Sequence, residues 1–448
     1  MGSLNQLLST VSSYVWGMPL VVLLLGTGIF LTLQYRFIQI RGFARACRIV
    51  SGKESCADEN SSGCFHPFKA LCTALSATVG LGNIGGVAIA ISLGGPGATF
   101  WMIVVGLIGM TTKFHEVTLA RMYREVDADG SVRGGPMYYI KLVPGAGLML
   151  AAFYAFFLIM ASFGAANMFQ ANQVASAFDV SFGLHPLYIG VALSILTGLV
   201  IFGGAPRIAE VASLIVPVMA GGYVLGCLAV IGLHISDIPA VFSQIMQGAF
   251  SGTAAVGGFA GALFKDTLTA GVRRALFSNE AGLGTSATAH AQGRTKHPVQ
   301  SGLVALLEPF IDTVVICTMT ALIVNVTGAW ATEVKAGVAM TQYALNSTIP
   351  GFGTWFIPCA VFLFAYSTLI SWSLYGEQGT RYLFSNSPKA VAIYRGIFSL
   401  CPIIGALWSL DAIINFSDIC LGLLVIPNLI ACLYLFPKVK AELKSFGI

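Results

Sequence analysis

The chain has 448 residues, of which 56% are hydrophobic and 10% charged, and it carries a formal net charge of +5. Soluble domains contain about 25% charged residues, so this composition excludes an ordinary soluble enzyme and indicates a protein of the lipid bilayer. The basic residues form no stripe of the kind that binds nucleic acid.

Apolar blocks of about 20 residues recur along the chain, long enough as helices to cross a hydrocarbon core of about 30 Å. Lipid cannot satisfy free backbone groups, and the blocks lack the alternation of barrel strands, so the spans are expected to be helices. We predict an all-α membrane protein with eleven transmembrane helices. Their approximate limits are 14–34, 67–93, 97–120, 146–175, 185–203, 208–233, 241–264, 300–327, 350–378, 389–409 and 412–436.

The positions of Lys and Arg predict the orientation. If the amino terminus lies outside, every Lys and Arg except Lys335 falls near the cytoplasmic ends of the spans. This set includes Lys113 in the third span and Lys265, Arg273 and Arg274 after the seventh. Because basic residues favour the cytoplasmic side, we predict a multi-pass protein with its carboxyl terminus inside.

The second span contains a glycine cluster, "ATVGLGNIGGVA", with Gly80, Gly82, Gly85 and Gly86 near its middle. A dinucleotide-binding loop is excluded because no strand precedes it and no acid follows about 20 residues later. Each glycine weakens a helix by about 1 kcal/mol, and an unwound turn exposes backbone dipoles that can bind a cation and a carboxylate. The alternative is close helix packing through Gly82 and Gly86.

A second cluster lies in the seventh span, where Gly252, Gly257, Gly258 and Gly261 occupy "FSQIMQGAFSGTAAVGGFAGALF". Spans two and seven would open two five-helix halves of opposite topology. Interrupted helices at matching places of inverted repeats indicate the substrate site of a transporter. The predicted organisation is a leading helix in 1–40, a first repeat in 41–240 broken near 80–83, and a second repeat in 241–448 broken near 257–259.

Five stretches carry a resemblance to a known family: "ATVGLGNIGGVA", "GGPGATFWMIVVGLIGMTTKFHEVTLARMYRE", "GGPMYYI", "FSNEAGLGTSATAHA" and "EPFIDT". Over nearly its whole length the chain resembles the alanine or glycine:cation symporters, the sodium:alanine symporter family of prokaryotes. The resemblance implies a LeuT-like fold with a 5+5 inverted repeat, placed in the cytoplasmic (inner) membrane. It also implies sodium-coupled uptake of a small neutral amino acid, alanine or glycine, by alternating access. Sodium would be the coupling ion, with no other cofactor.

The resemblance also implies a substrate site. "TVGLGN" is similar to the unwound first core helix of the neurotransmitter:sodium symporters. By that similarity, the residues of this helix that would contact the amino acid are Thr78, Leu81, Gly82 and Asn83. Gln170 and Trp372 complete the candidate pocket, together with Gly258 and Phe259 at the second break. The alternatives are a helix–helix hydrogen bond for Gln170 and ordinary packing for Trp372 and Phe259.

A sodium site follows from the same similarity. The carbonyls of Ser76 and Val79 would face the ion, and the fold places a hydroxyl pair opposite them, which this chain offers as Ser367 and Thr368. Hydroxyl and carbonyl oxygens suit a hard cation. The alternative is that both hydroxyls bond back to their own helix.

Two acids in the eighth span, Glu308 and Asp312, stand four residues apart on one helix face. A charge in the membrane costs at least about 2.5 kcal/mol, so such acids pair or serve transport. Asp312 is a candidate for cation or proton binding, whereas a structural role is favoured for Glu308, either in an ion pair or as a protonated carboxyl packed against span seven. We also predict an inner gate in which Arg273, Arg274 and Glu280 exchange partners.

Three rivals to sodium symport remain. A proton-coupled permease of the same fold would use Asp312 as its proton carrier. A membrane-embedded enzyme has only His115 and Glu116 as a local candidate, and adjacent residues face different sides of a helix. A channel has no charged ring or repeated filter to support it. The ten cysteines lack zinc-ligand spacing, so we predict neither a zinc site nor a structural disulfide.

Overall fold

The computed structural model describes residues 2–54, 63, 65–127, 132–250, 258–334 and 336–448, with no description of the side chains at 2–4 and 258–264. The first helices are α1 (Gly2–Val15), α2 (Met18–Gln34), α3 (Ile38–Arg41), α4 (Phe43–Val50), α5 (Pro67–Thr78), α6 (Val87–Gly94), α7 (Ala98–Met122), α8 (Pro136–Ile140), α9 (Gly147–Phe163), α10 (Phe169–Phe182) and α11 (Pro186–Ile201). The remaining helices are α12 (Gly204–Leu233), α13 (Ile238–Phe250), α14 (Gly258–Asn279), α15 (Ala287–Ala291), α16 (Pro298–Ala305), α17 (Leu307–Pro309), α18 (Thr318–Val326), α19 (Val338–Thr348), α20 (Phe352–Leu383), α21 (Pro388–Leu407) and α22 (Leu410–Ser445). Shorter elements are π-helical turns at Gly82–Gly86, Gly164–Met168 and Phe310–Cys317, a 3-10 turn at Ala329–Ala331, and the antiparallel strands β1 (Glu125–Val126) and β2 (Val132–Arg133).

Long apolar helices dominate the fold. In the described residues, eight stretches are long and apolar enough to cross a membrane: Asn5–Gln34, Ala98–Met122, Gly147–Phe182, Gly204–Leu233, Pro298–Val326, Phe352–Leu383, Pro388–Leu407 and Leu410–Ser445. A further pair, Pro67–Thr78 and Gly82–Gly94, passes the same test together and is bent by 52°. The predicted class of an all-α membrane protein is confirmed, and the count of eleven spans stays a prediction.

Several helices begin with the same local device, a capping residue followed by proline. His66, His185 and His297 each accept a hydrogen bond from a backbone N–H of the first turn, and each precedes a proline. Ser387 does the same for α21. Proline fits the first helical position because its missing N–H would have no partner there. These starts are therefore encoded locally.

The seventh span lies further along the chain than predicted. The carbonyl of Ala249, in α13, accepts a hydrogen bond of 3.2 Å from Trp101 in the first turn of α7, so α13 covers that end of the bundle. In α14, the Thr267 hydroxyl donates a hydrogen bond of 3.0 Å to the carbonyl of Gly94, the last residue of α6. Thr267 therefore lies at the same end of the bundle as the end of α6. These contacts favour α14 and the residues after it as the spanning segment, in place of the predicted limits 241–264.

The interruption of this span falls at residues 280–286. Glu280, Gly282 and Gly284 have φ of +57°, +94° and +78°, which places them in the left-handed region and ends a right-handed helix. The chain then re-enters helix as α15. Of the glycines that predicted a break near 257–259, Gly252 and Gly257 lie outside the described residues, and Gly258 begins α14.

One end of the bundle gathers most of the arginines, and we call it the basic end. There Arg121 bonds Thr295 with its side chain, at 2.9 Å between Nε and Oγ1, and Arg124 bonds the carbonyl of Ala291 at 2.7 Å. Arg133 lies on β2 at the same end and pairs with acids of β1 and its surroundings. The start of α7 marks the opposite end.

Four basic residues depart from the predicted one-sided distribution. Lys265, Arg273 and Arg274 lie in α14, before the break, at the end opposite the basic end. Lys113 is fully buried in the middle of α7. For the three residues of α14, the physical cause is the shift of the seventh span by about 20 residues.

We expect Gly405→Ala to destabilise the fold. A Cβ at this position would lie 2.5 Å from Met168 Cα and 2.6 Å from its carbonyl oxygen, backbone atoms that no rotamer change can move. Overpacking of this kind costs about 1–3 kcal/mol. The matched control on the same helix is Gly396→Ala, which meets nothing within 4 Å. Thermal unfolding in detergent should show a lower midpoint for Gly405→Ala alone, and equal midpoints would contradict this packing.

Candidate substrate and ion site

The first break separates α5 from α6. Beyond Thr78 the chain leaves the helix at Val79, with φ of −75° and ψ of 88°. The Oδ1 atom of Asn83 then accepts a hydrogen bond of 2.8 Å from the N–H of Gly80. The helix is interrupted where the glycine cluster predicts an interruption, and the Asn83 side chain replaces a missing backbone acceptor.

The second break faces the first, and other helices satisfy its carbonyls. The Tyr154 hydroxyl, from α9, donates to the carbonyl of Leu283 at 2.7 Å. The Asn428 amide, from α22, donates to the carbonyl of Gly282 at 2.9 Å. Non-helical backbone is tolerated at membrane depth only with such partners, so the surrounding bundle holds this break open.

A cavity lies between the two breaks. Its walls consist of Ala77, Thr78, Gly80, Gly82, Ala165, Ala166, Gln170, Phe277, Glu280, Thr368, Trp372 and Leu421. Thr78, Gly82, Gln170 and Trp372 were predicted to contact the substrate, and the structure brings these four together. The free volume for water is about 20 Å³, enough for one or two water molecules. In this conformation the cavity is therefore too small for a ligand much larger than water, and such a ligand could enter only if the walls separate.

Two side chains give the cavity its polarity. Glu280, with 3% of its surface exposed, accepts a hydrogen bond of 2.8 Å from Trp372 Nε1 and another from the Thr285 hydroxyl. Gln170 donates to the carbonyl of Ala165 at 3.2 Å, and its Oε1 atom is buried without a partner among the described residues. A carboxylate and an amide oxygen keep free lone pairs. This side of the cavity therefore offers acceptors, as a ligand ammonium requires.

The predicted ion ligands converge beside the cavity. The carbonyl oxygen of Ser76 lies 3.3 Å from Ser367 Oγ and 3.2 Å from Thr368 Oγ1. Both hydroxyls also lie within 3.0 Å of the carbonyl of Phe364, so the bond to their own helix is present as well. Val79 follows the end of α5, three residues after Ser76. The described side chains include no group of three or more His, Cys, Asp or Glu placed to hold a metal.

Other predicted residues lie away from the cavity walls. Leu81 and Asn83 belong to the first break but do not line the cavity. Gly258 and Phe259 begin α14, whose last residue, Asn279, adjoins the second break. Twenty residues of helix span about 30 Å, so the structure does not bring Gly258 and Phe259 to the cavity.

Asp312 connects the two broken helices. Its carboxylate accepts hydrogen bonds from Asn83 Nδ2 at 2.7 Å, Ser278 Oγ at 2.8 Å and Thr313 Oγ1 at 2.7 Å. Asn83 belongs to the first break, and Ser278 lies in the last turn before the second. Asp312 is fully buried and does not line the cavity, so its observed contacts are those of a structural link.

Glu308 takes part in an ion pair, which is one of the two structural roles expected for it. Lys113 Nζ lies 3.4 Å from its carboxylate and 2.5 Å from the hydroxyl of Ser286. His290, in α15, bonds the other carboxylate oxygen. Buried charges are tolerated when they are paired and hydrogen-bonded. This cluster holds the segment after the second break against α7 and α17.

The predicted inner gate has a different composition and lies at the other end. Arg273 bonds Asp418 of α22 and the hydroxyl of Ser12, the latter at 2.8 Å. Arg274 lies 3.8 Å from Asp418. Glu280 pairs with neither arginine, because it follows the helix into the cavity. The structure therefore places both arginines against Asp418 rather than Glu280, and a gating role for these residues stays a prediction.

Sequence reasoning missed Phe277 and Glu280 as walls of the cavity, and it also missed the small or apolar walls Ala77, Ala165, Ala166 and Leu421. The signal was present in "NEAGLGT", where Gly282 and Gly284 bracket one residue and follow an acid. Hydropathy predicts a loop for "NEAGLGT", because the apolar run at 241–264 was taken as the span that precedes it. The alternative was a later helix at 258–291 that carries charged residues in its first half and is interrupted at 280–286.

A helical bundle with a closed polar cavity between two broken helices defines a membrane protein of the secondary-transporter class. The model of the sodium:alanine symporter family matches residues 1–447. The sodium/alanine symporter AgcS of Methanococcus maripaludis is 42% identical over 99% of this chain and 97% of its own length. In Bacillus subtilis, the probable sodium/glutamine symporter GlnT is 38% identical over 99% and 91%, and the putative sodium/proton-dependent alanine carrier protein YrbD is 36% identical over 98% and 91%.

The chain therefore belongs to the sodium:alanine symporter family. The resemblance seen in the sequence motifs is confirmed, and the protein is a multi-span membrane transporter rather than an enzyme.

We expect Gly80→Ala to impair binding at this site. The added Cβ would lie 2.6 Å from Thr368 Oγ1 and 3.7 Å from Gln170 Oε1. Overpacking of about 1–3 kcal/mol corresponds to roughly a 5- to 150-fold loss of affinity. Gly86→Ala is the matched control in the same span, since its nearest neighbours lie 3.9 and 4.0 Å away. Binding of radiolabelled alanine in sodium buffer measures both variants, and unchanged affinity for Gly80→Ala would contradict the site.

Proposed function

We propose that this protein is a secondary active transporter that couples the uptake of a small neutral amino acid, alanine or glycine, to sodium. The observation that carries the proposal is the meeting of the Ser76 carbonyl with the Ser367 and Thr368 hydroxyls, directly beside the cavity that Thr368 lines. Oxygen ligands of this kind suit an alkali cation. An ion there would stabilise the first break and the adjacent substrate together.

The architecture we propose is a leading helix followed by a LeuT-like 5+5 inverted repeat, eleven spans in all. Its amino terminus would lie outside the cytoplasmic membrane and its carboxyl terminus inside. The clustering of arginines at the basic end supports this orientation through the positive-inside rule. With the second break moved to 280–286, span seven becomes α14 and α15, and α13 becomes an external helix. The two halves then keep the proposed limits of 41–240 and 241–448.

The cavity suggests an orientation for the substrate. Its ammonium would face Glu280 and the unpartnered Gln170 Oε1, which are acceptors. Its carboxylate would face the Gly82 side, where the half-helix that becomes α6 begins and its dipole favours negative charge. The rings of Trp372 and Phe277 leave little depth for a side chain, which favours alanine and glycine over larger amino acids.

Alternating access would use the contacts at the two ends of the broken helix. At the outer end, Arg273 and Arg274 hold α14 on Asp418. At the inner end, Lys113 and Glu308 hold the segment that contains α15. Release of one set while the other stays closed would open the cavity to one side of the membrane at a time.

A proton-coupled mode is the second candidate. It is favoured by the carboxylate of Glu280 in the cavity, a group that a proton could neutralise in place of a cation. Asp312, the acid first considered for this role, is engaged by three donors and is the weaker choice. Alanine uptake into proteoliposomes with a pH gradient and no sodium separates the modes, since sodium symport gives no uptake there.

We expect Ser367→Ala combined with Thr368→Val to abolish sodium activation, because both hydroxyl ligands are lost. The matched control is Thr380→Val on the same helix, whose buried hydroxyl makes the same bond to the carbonyl four residues earlier, at 2.9 Å. The measurement is alanine uptake against sodium concentration in proteoliposomes. Normal sodium dependence in the double variant would eliminate the ion site.

We expect Glu280→Gln to weaken alanine binding by at least about tenfold, because hydrogen bonds to charged groups contribute roughly 1.5–3 kcal/mol. The amide oxygen can still accept from Trp372, so the cavity wall is retained. Alanine affinity at saturating sodium is the measurement, and sodium affinity in the absence of alanine is its internal control. Wild-type alanine affinity in this variant would remove Glu280 from the substrate site.

A competition panel defines the substrate. Uptake of radiolabelled alanine, with and without sodium, should be inhibited by glycine and alanine more strongly than by serine or glutamine. Strong inhibition by glutamine would contradict the small cavity, and inhibition that ignores sodium would contradict the symport mechanism. D- and L-alanine in the same panel report the handedness of the site.

A further inference from the structure

A second cavity opens at the basic end, apart from the site between the two breaks. It is lined by Val132, Arg133, Gly204, Ala205, Pro206, Gln292, Leu374, Glu377, Gln378, Arg381 and Arg395. Its free volume for water is about 210 Å³, roughly ten times that of the central cavity. No residue is shared between the two sets of walls.

This cavity carries both signs of charge. Glu377 lies at its centre with 4% of its surface exposed. One carboxylate oxygen lies 2.9 Å from Arg381 NH2 and the other 2.8 Å from Arg395 Nε. The two terminal nitrogens of Arg395 bond none of the described residues, so they can hold a carboxylate in the two-point geometry that guanidinium favours.

The cavity also holds a buried acceptor without a partner. Gln378 is 3% exposed, and its Oε1 atom has no hydrogen-bond donor in the described part of the chain. An unpaired buried carbonyl costs free energy unless a ligand or water donates to it. A donor from water or from a ligand is therefore expected at this atom, in the cavity that the arginines also line.

Arg133 forms a further wall and is already neutralised. Hydrogen bonds to Asp127 raise its pKa above the ordinary value for arginine, and Glu125 lies 3.5 Å away. The remaining charged walls are Glu377, Arg381 and Arg395, which together carry a net charge of one positive unit. They line the same cavity as the neutral acceptor Gln378 Oε1.

We propose that this cavity is a second binding site for a free α-amino acid. The carboxylate binds the terminal nitrogens of Arg395, and the ammonium donates to Gln378 Oε1 and to Glu377. A simple anion leaves Gln378 unsatisfied, and a simple cation meets two arginines. A zwitterion offers a matching group to the arginines and to the acceptors at once.

The position of the site relates it to transport. Along α20, Trp372 lines the central cavity, and Gln378 lines the second cavity about 9 Å further along the helix axis. Gln292, just after α15, forms another wall. An amino acid bound here lies beside α15, the segment that runs from the central cavity towards the basic end. It would therefore lie on the route by which substrate leaves the central cavity.

The test uses the full-length protein in detergent, with Ala205→Cys as a reporter at the cavity wall. Labelling of the introduced thiol by a maleimide is followed by peptide mass spectrometry in sodium-free buffer. Alanine should slow labelling about tenfold when present at about ten times its dissociation constant for the site. Propionate, which lacks the ammonium, and ethylamine, which lacks the carboxylate, should protect far less.

Three further variants are made in the reporter background. Gln378→Leu should lose protection by alanine, whereas Gln173→Leu, a half-buried amide on α10 away from the cavity, should keep it. Gly80→Ala should also keep it, because the central site is not involved. The choice of an amino acid as ligand rests on the proposed function. If alanine is not transported but still protects the reporter thiol in sodium-free buffer, the proposed function fails and this site stands.

Three results would overturn the proposal. Alanine could fail to slow labelling in sodium-free buffer, propionate or inorganic phosphate could protect as well as alanine, or Gln378→Leu could remain fully protected. The second result would assign the cavity to anions in general. The third would place the ligand away from Gln378.

Discussion

Everything in this fold depends on how free backbone groups are satisfied away from water. Two helices stop at membrane depth, and hydrocarbon offers no hydrogen bonds to their open ends. Asn83 supplies an acceptor at the first break, and Tyr154 and Asn428 supply donors at the second. Those polar side chains are fully buried in an otherwise apolar bundle. The free energy that their burial costs is offset because each one forms a hydrogen bond with a backbone group. The cavity exists because these partners keep both helices from closing.

The membrane class, the first break and the hydroxyl pair could be predicted, because hydropathy, clustered glycines and motif resemblance are all readable along the chain. The interruption at 280–286 was not predicted, and the reason is physical. The segment 241–264 is more apolar than α14, which carries Lys265, Arg273 and Arg274. The charges of the two arginines are acceptable there because Asp418, distant in sequence, lies against them. Such pairing is a tertiary property, as are the roles of Glu280 and Phe277 in the cavity.

The buried charges divide between the two ends of the interrupted seventh span. Lys113, Glu308 and His290 lie around the segment that follows the break, and the arginines with Asp418 lie around the segment that precedes it. Removing one partner of a buried pair typically costs about 3–5 kcal/mol, a cost that applies to Lys113 and Glu308 because both side chains are fully buried. The two ends of this segment are therefore held by separate sets of charged side chains.

The carboxylate of Asp312 touches Asn83 on one side and Ser278 on the other. A single buried acid thus spans the gap between the two unwound segments, and neither can shift without straining its bond to the other. Free energy released when a ligand settles at either segment is shared through this bridge, and such sharing is reciprocal.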